Sequence, residues 1–119
     1  MTVQRLSLGR AGEDRAARFL RDMGYGIVDR NYRCRLGEID IVARDGPVLV
    51  FVEVRTRTGS GFGTALESVV YKKQQKVRQV AGYYLQYREY YGGPVRFDVI
   101  ALTLGPGGAV EIEHVKNAF

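Results

Sequence analysis

Glu53 is the residue of this sequence whose type and position point most directly to chemistry. It interrupts the apolar run 48–54, Val-Leu-Val-Phe-Val-Glu-Val, and a run apolar on both faces is typical of a strand covered on two sides. An ionised carboxylate in such a strand costs several kcal/mol unless a cation pairs with it. That cation is either Arg55, two residues on and on the same face, or a bound metal ion.

Asp40 is a second carboxylate on a predicted strand, where aspartate is disfavoured. A hairpin at Asp45-Gly46 joins this strand to that of Glu53 in an antiparallel pair. With a two-residue loop Asp40 faces Phe51, and Glu53 is its diagonal neighbour. With a loop two residues longer Asp40 faces Glu53 directly, and only a register of the other parity separates them. Adjacent carboxylates repel each other unless a cation lies between them, so the pair predicts a divalent metal site.

Glu13 is a third candidate, placed in the first turns of a predicted helix. A carboxylate there can simply interact favourably with the helix dipole. Gly12 beside it has no side chain, so a phosphate or another backbone segment could come close. Glu13 is therefore either a helix-stabilising residue or a member of the acidic site.

The kinds of metal and compartment are limited by composition. One histidine and one cysteine, Cys34, cannot form a zinc site of nitrogen and sulfur ligands, so a metal would need oxygen ligands, as Mg²⁺ or Mn²⁺ do. The single cysteine excludes an internal disulfide and fits a reducing compartment. No apolar stretch is long enough for a signal peptide or a membrane span. We expect a cytoplasmic protein with no membrane partner.

The charge balance favours a polyanionic partner. The net charge is +5 and the sequence pI is about 9.6, which fits nucleic acid or an acidic membrane surface. Arginines are concentrated in the first third of the chain, and their planar forks match phosphate oxygens in pairs. Nucleic acid, with DNA first, is the predicted partner. The predicted nucleic-acid contacts are Arg33, Arg35, Arg57 and Lys73.

The elements that would position these residues follow the order α-β-β-β-α-β-β, in one predicted domain over residues 1–119. Helices are predicted at 9–23 and 66–91, and strands at 25–33, 38–44, 48–54, 95–104 and 110–115. Short turns make the first three strands antiparallel, whereas the helix between the third and fourth makes those two parallel, with a right-handed crossover. The sequence therefore predicts an α/β fold with a mixed sheet and a helix on each face.

Two segments could contact a partner. Residues 56–64 are rich in Gly, Ser and Thr and are predicted to form a mobile loop, which would close over substrate or mediate exchange in a homodimer. The end of the second helix carries Tyr83, Tyr84, Tyr87, Tyr90 and Tyr91. These rings could stack on bases, bury at a homodimer contact, or pack against the edge of the sheet.

Asp40 followed thirteen positions later by Glu53-Val54-Arg55 resembles the PD-(D/E)XK nuclease motif, found in restriction endonucleases and archaeal Holliday junction resolvases. The whole chain is similar to the YraN-like bacterial family within that superfamily. The residues that carry this similarity span nearly the full length: Gly12-Glu13, Arg30-Asn31, Gly37-Glu38-Ile39-Asp40, Phe51-Val52-Glu53-Val54-Arg55, Phe62-Gly63, Lys73, Arg96-Phe97-Asp98-Val99 and Asn117-Ala118-Phe119.

The resemblance implies a restriction endonuclease-like fold that hydrolyses phosphodiester bonds of structured DNA, branched DNA included. It implies that Asp40 and Glu53 hold Mg²⁺ or Mn²⁺, helped by the backbone carbonyl of Val54, and that Glu13 joins through water or orients the site. Arg55 stands where many active members have lysine. It cannot take a proton, but it could clamp the scissile phosphate. Lys73 either reaches the site or is a solvated helix charge.

Arg55 also motivates a second hypothesis. In it the fold is kept but catalysis is lost, and the protein is a module that binds nucleic acid or another protein. A third hypothesis is an interaction protein that uses the tyrosine-rich helix as an oligomer interface.

Overall fold

The computed structural model describes residues 3–58, 67, 69–88 and 92–119, with side chains in the first helix from Gly9 onward. Its helices are α1, Val3–Asp22, and α2, Tyr71–Tyr87, with a short 3-10 turn at Pro106–Gly108. Its strands are β1, Gly26–Cys34; β2, Gly37–Asp45; β3, Val48–Thr58; β4, Val95–Leu104; and β5, Val110–Val115. The predicted order α-β-β-β-α-β-β is confirmed.

The helix boundaries differ from the predicted ones. Helix α1 starts at Val3 rather than at Gly9, because an internal glycine weakens a helix by about 1 kcal/mol without ending it. Helix α2 starts at Tyr71, since Val70 before it has an extended backbone (φ −67°, ψ 159°). Its predicted start at 66 is therefore wrong. The predicted end at 91, with Tyr90 and Tyr91, lies outside the described residues.

The predicted loop 56–64 is wrong at its beginning, because β3 continues to Thr58. Residues 56–58 pair with β4 in parallel, and this pairing keeps them in the sheet. The remainder of that predicted loop lies outside the described residues.

The five strands form one sheet in the order β1-β2-β3-β4-β5, with β3 and β4 parallel and the other neighbours antiparallel. The α1 side of the sheet is a core built on Ala16, Ala17 and Leu20, packed with Val50 and Val52 of β3. The other side is covered by α2. Its packed residues are Val77, Val80, Ala81 and Tyr84 of α2 with Phe51 of β3. Both faces of β3 are therefore buried, which explains its apolar sequence.

The β2–β3 hairpin selects between the two predicted registers. Asp45 pairs with Val48 and the turn is Gly46-Pro47, with Gly46 at φ 58°. The paired residues end at Ile41 opposite Val52, so the same register carried one residue further sets Asp40 opposite Glu53. The register that sets Asp40 directly opposite Glu53 is thus the one adopted. The longer loop that was predicted to go with it is wrong, because Asp45 and Val48 also pair and leave a turn of only two residues.

Strands β1 and β2 are irregular at Asn31 and Asp40. Ile41 packs in the core under α1, yet Ile39, two residues away, packs in the core under α2. Residues two apart in a regular strand share one face, so β2 changes face at Asp40. The β1–β2 register places Asn31 opposite Asp40, and Asn31 has a positive φ of 53°. Because of this local irregularity, the side chain of Asp40 does not follow the regular alternation of side chains between the two faces of the sheet.

Candidate active site

The carboxylate of Asp40 is held against β3 just beyond the last paired residues of the hairpin. The backbone N–H of Val54 donates to Asp40 Oδ2 at 2.8 Å. An aspartate within a regular strand would point away from the plane of the sheet, whereas the irregularity at Asp40 lets its side chain reach the neighbouring strand. The backbone thereby fixes the Asp40 carboxylate next to Glu53.

Glu53 is buried, and only one of its two carboxylate oxygens has a partner among the described residues. The residue is 4% exposed, and its Oε1 lies 3.4 Å from Lys73 Nζ. Its Oε2 is buried and accepts no hydrogen bond from the described part of the chain. Leaving a buried carboxylate oxygen without a partner is costly, so this atom is suited to a ligand that the protein does not itself supply.

The cation beside Glu53 comes from α2 and not from its own strand. Arg55, the predicted salt-bridge partner, is exposed and forms no salt bridge with Glu53 among the described side chains. Lys73 reaches the site instead, and its alternative role as a solvated helix charge is wrong. Lys73 sits in the first turn of α2, which runs across the face of the sheet that carries Glu53.

Both carboxyl groups resist ionisation. Burial raises the pKa of Asp40 to about 6, with the nearby charge of Glu13 adding to the effect and the Val54 N–H opposing it. Burial and the neighbouring Asp40 raise the pKa of Glu53 to about 7, against the opposing effect of Lys73. The negative charges of the two buried carboxylates repel each other, and a divalent cation bound between them would offset that repulsion.

Glu13 lies beside this pair but is engaged by β1. Its Oε1 accepts hydrogen bonds from Asn31 Nδ2 at 2.7 Å and from Arg30 Nη2 at 3.3 Å. No group of three or more Asp, Glu, His or Cys side chains within the described residues is placed to hold one metal ion. The site therefore offers two side-chain carboxylates, Asp40 and Glu53. That set suits Mg²⁺, which usually binds proteins through one or two carboxylates and completes its shell with water and substrate phosphates.

The remaining predicted nucleic-acid contacts, Arg33, Arg35 and Arg57, lie in two separate regions of the protein. Arg57 lies on β3 and its Nε donates to Thr103 Oγ1 of β4 at 3.1 Å. Arg33 and Arg35 lie near the end of β1, away from β3. The Nε of Arg33 is 3.0 Å from Glu38 Oε2, and Arg35 is exposed.

Arg33 and Arg35 line a groove between the edge strand β1 and the last turns of α2. The groove has a volume of about 520 Å³. We call it the β1 groove, and its lining is Asp29, Arg30, Asn31, Tyr32, Arg33, Cys34, Arg35, Tyr83, Tyr87 and Arg88. Three of these residues were not predicted as functional from the sequence: Tyr32, Arg30 and Arg88. The available signal was the position of Tyr32 between Arg30 and Arg33 along β1.

Residues 12–102 match the family described as Uncharacterised protein family UPF0102. The chain belongs to the UPF0102 family. This confirms the YraN-like family predicted from the sequence.

Relatives printed as UPF0102 proteins align over almost the whole chain. The relative from Rhodococcus opacus is 48% identical over 96% of this chain and 97% of its own length. Those from Desulforamulus reducens and Pelotomaculum thermopropionicum are each 48% identical, over 99% and 100% of both chains respectively. In the described part of this UPF0102 chain, no helix is long and apolar enough to span a bilayer.

Proposed function

We propose that this protein is a metal-dependent endonuclease of the PD-(D/E)XK type that hydrolyses phosphodiester bonds in structured DNA. The observation that carries the proposal is the buried Oε2 of Glu53, which has no partner among the described residues and lies in a site shared with Asp40. The net charge of +5 adds long-range attraction for a polyanion.

Asp40 and Glu53 would hold Mg²⁺ or Mn²⁺, with the backbone carbonyl of Val54 as a further oxygen ligand. A divalent ion bound there would supply charge to the transition state and acidify the attacking water. Asp40 is suited to this role because the Val54 N–H fixes its Oδ2, while Oδ1 accepts no hydrogen bond from the described residues. A ligand whose orientation is set by a neighbouring hydrogen bond binds metal more tightly than a free one.

The cations around the carboxylates have separate tasks. Lys73 neutralises part of the charge of Glu53 in the buried site. Arg55 follows on the same strand with its side chain exposed, and a guanidinium stays charged at any working pH, so it would grip the scissile phosphate without transferring a proton. Bidentate contact with phosphate is the geometry that arginine provides best.

The test is cleavage of end-labelled duplex, branched and single-stranded DNA in Mg²⁺ or Mn²⁺. Asp40→Asn and Glu53→Gln are each expected to lower the rate at least a hundredfold, in the range found for loss of a metal or transition-state contact. The matched control is Glu111→Gln, an exposed carboxylate on β5 that undergoes the same change of charge. Equal residual rates in all three variants would overturn the proposal.

The alternative function is a binding module without catalysis, motivated by Arg55 in place of lysine. Calorimetric titration with Mn²⁺ separates the two. Binding of the ion that is lost in Asp40→Asn supports the nuclease, whereas retained DNA binding without any uptake of Mn²⁺ supports the module.

A further inference from the structure

We infer that the β1 groove binds an unpaired nucleotide of the DNA substrate, so that the protein acts on DNA with single-stranded parts. The inference rests on the proposed function only in assigning that nucleotide to the cleaved substrate. The groove itself is described by its own residues, none of which is one of the two acidic ligands.

The first support is aromatic surface held in a defined position. Tyr87 is 67% exposed and Tyr83 is 38% exposed, so both present ring surface to the groove. Tyr87 is not loose, because Tyr32 lies 6.2 Å away between ring centroids and the guanidinium of Arg88 lies 5.8 Å over its ring. A ring that is fixed and still exposed can stack on a base with little further loss of conformational entropy.

Buried contacts beneath the groove hold these rings in place. Tyr84 is buried, meets Tyr32 edge-to-face at 4.9 Å between centroids, and donates its hydroxyl hydrogen to Asp29 at 3.1 Å. Asp29 also accepts a hydrogen bond from Arg88. These contacts join the end of α2 to the edge strand, so the two walls of the groove are fixed relative to each other.

The second support is charge. Four arginines and one aspartate line the groove, but carboxylates offset much of this positive charge. Among described side chains, carboxylates pair with Arg30, Arg33 and Arg88, whereas Arg35 has no ion pair. Arg35 is therefore the residue best placed to meet a phosphate. Exposed aromatic rings beside cationic side chains are the combination by which proteins bind single strands without reading their sequence.

The third support is the continuity of the groove with the acidic site. Asn31 lines the groove, stands opposite Asp40 in the β1–β2 register, and donates to Glu13. A DNA strand whose unpaired base lies in the groove would thus pass across Asn31 to reach Asp40. An intact duplex keeps its bases stacked inside the helix and cannot place one against Tyr87.

The test measures binding without metal, by fluorescence anisotropy of a labelled oligothymidine and of a blunt duplex of the same length. Tyr87→Ala is expected to weaken binding of the single strand about tenfold and to leave binding of the duplex unchanged. Tyr71→Ala, which removes an equally exposed tyrosine at the far end of α2, is the matched control and should have no effect. Tyr87→Phe should retain the affinity, because the ring face is kept. Arg35→Ala should reduce the slope of log K against log salt by about one.

The inference is overturned if Tyr87→Ala behaves like Tyr71→Ala, if single strand and duplex lose affinity equally, or if Tyr87→Phe loses as much as Tyr87→Ala. Cleavage assays separate this inference from the proposed function. If Tyr87→Ala weakens single-strand binding but the wild type does not cleave DNA, only the nuclease proposal is overturned. If the wild type cleaves DNA but Tyr87→Ala binds single strands as well as the wild type does, only the inference about the groove is overturned.

Discussion

At the scale of single residues, Asp40 and Glu53 are held where their charge is costly. Among the described residues, Oε2 of Glu53 has no partner and Asp40 accepts one backbone hydrogen bond, so the pair is short of compensating contacts. Lys73 offsets only part of this cost, since its Nζ is 3.4 Å from one oxygen and its side chain is 36% exposed. Such a pair would destabilise the metal-free protein, and under the proposed function a bound metal ion would offset that cost.

The cost of burying the Glu53 charge predicts an unusual pH dependence of the free energy of unfolding. A carboxyl whose pKa is raised on folding binds more protons in the folded state, so its contribution to stability falls as pH rises. For Glu53 the fall runs from about pH 4.5 to about pH 7. Above this range the metal-free Glu53→Gln variant should exceed the wild type in free energy of unfolding by on the order of 2 kcal/mol, and the difference should vanish at acid pH.

Urea unfolding across this pH range checks the prediction, with and without Mn²⁺. Added Mn²⁺ should stabilise the wild type above about pH 7 and leave Glu53→Gln unchanged. A variant that is less stable than the wild type at every pH would show that the Glu53 charge is satisfied by the fold.

Arg55 provides a second prediction at this scale. Arg55→Ala should lower the cleavage rate roughly a hundredfold, as expected for loss of a group that stabilises charge on a phosphate. Its affinity for Mn²⁺ should change little, because the Arg55 side chain is exposed and its charge acts on Glu53 only weakly, without a salt bridge among the described residues. Arg55→Lys should keep most of the activity. Single-turnover cleavage and calorimetry make the measurement, and loss of Mn²⁺ binding in Arg55→Ala would contradict a role at the phosphate.

At the scale of elements, the site depends on a close approach between α1 and the end of β3. A Cβ at Gly12 would lie 1.9 Å from Thr56 Oγ1, so no other residue fits there without movement. A phosphate or a backbone segment was predicted to come close to Gly12, but the side chain of Thr56 lies there instead. Because Glu13 follows Gly12 and Arg55 precedes Thr56, this contact sets both of them relative to the sheet.

Gly12→Ala is therefore expected to lower the free energy of unfolding by about 1–3 kcal/mol through overpacking. The control is Gly9→Ala in the same helix, where nothing lies within 4 Å of the added Cβ. That change should stabilise the protein by about 0.5–1 kcal/mol, because alanine favours helix over glycine. Thermal unfolding measures both, and Thr56→Ala should restore stability in the Gly12→Ala background. Equal effects of the two alanines would contradict the close packing.

The elements themselves were largely predictable from the sequence, whereas the Asp40 position was not. The run 48–54 indicated a strand buried on both faces, and β3 is that strand. The change of face between Ile39 and Ile41 has no local signal, since both are apolar residues that either core accepts. Only the packing of two helices on opposite faces decides which core each isoleucine joins.

At the scale of the whole molecule, a polar network around the buried Asp98 joins strands β4 and β5 to the C-terminal residue Asn117. Asp98 of β4 is fully buried and receives two hydrogen bonds from Arg96, one from the backbone N–H of Asn117, and a contact with His114 Nε2 at 2.8 Å. Burial by itself raises the pKa of Asp98, but these bonds outweigh it and hold the pKa below its usual value. Arg96 extends the network to Asp45 of β2.

Asp98→Asn is expected to cost about 3–5 kcal/mol of unfolding free energy, since it removes the buried charge that pairs with the half-buried Arg96 and accepts from the backbone of Asn117. Asp14→Asn is the control. Asp14 forms a shorter ion pair, 2.6 Å from Arg30, but its side chain is 60% exposed, so its loss should cost less than about 1 kcal/mol. Because the pKa of Asp98 is lowered on folding, its contribution should also disappear as pH falls through the acid range. If urea unfolding shows that Asp98→Asn and Asp14→Asn lower the free energy of unfolding by similar amounts, the buried network does not stabilise the protein more than an exposed ion pair does.

The sequence by itself determined the order of elements, the mixed sheet and the two carboxylates, because each follows from local periodicity, turn residues and one charge in an apolar strand. Only the tertiary structure decided the hairpin register that sets Asp40 opposite Glu53, the choice of Lys73 over Arg55, and the groove between β1 and α2. These features join residues distant in sequence, and their positions depend on how both helices bury their apolar faces against one sheet.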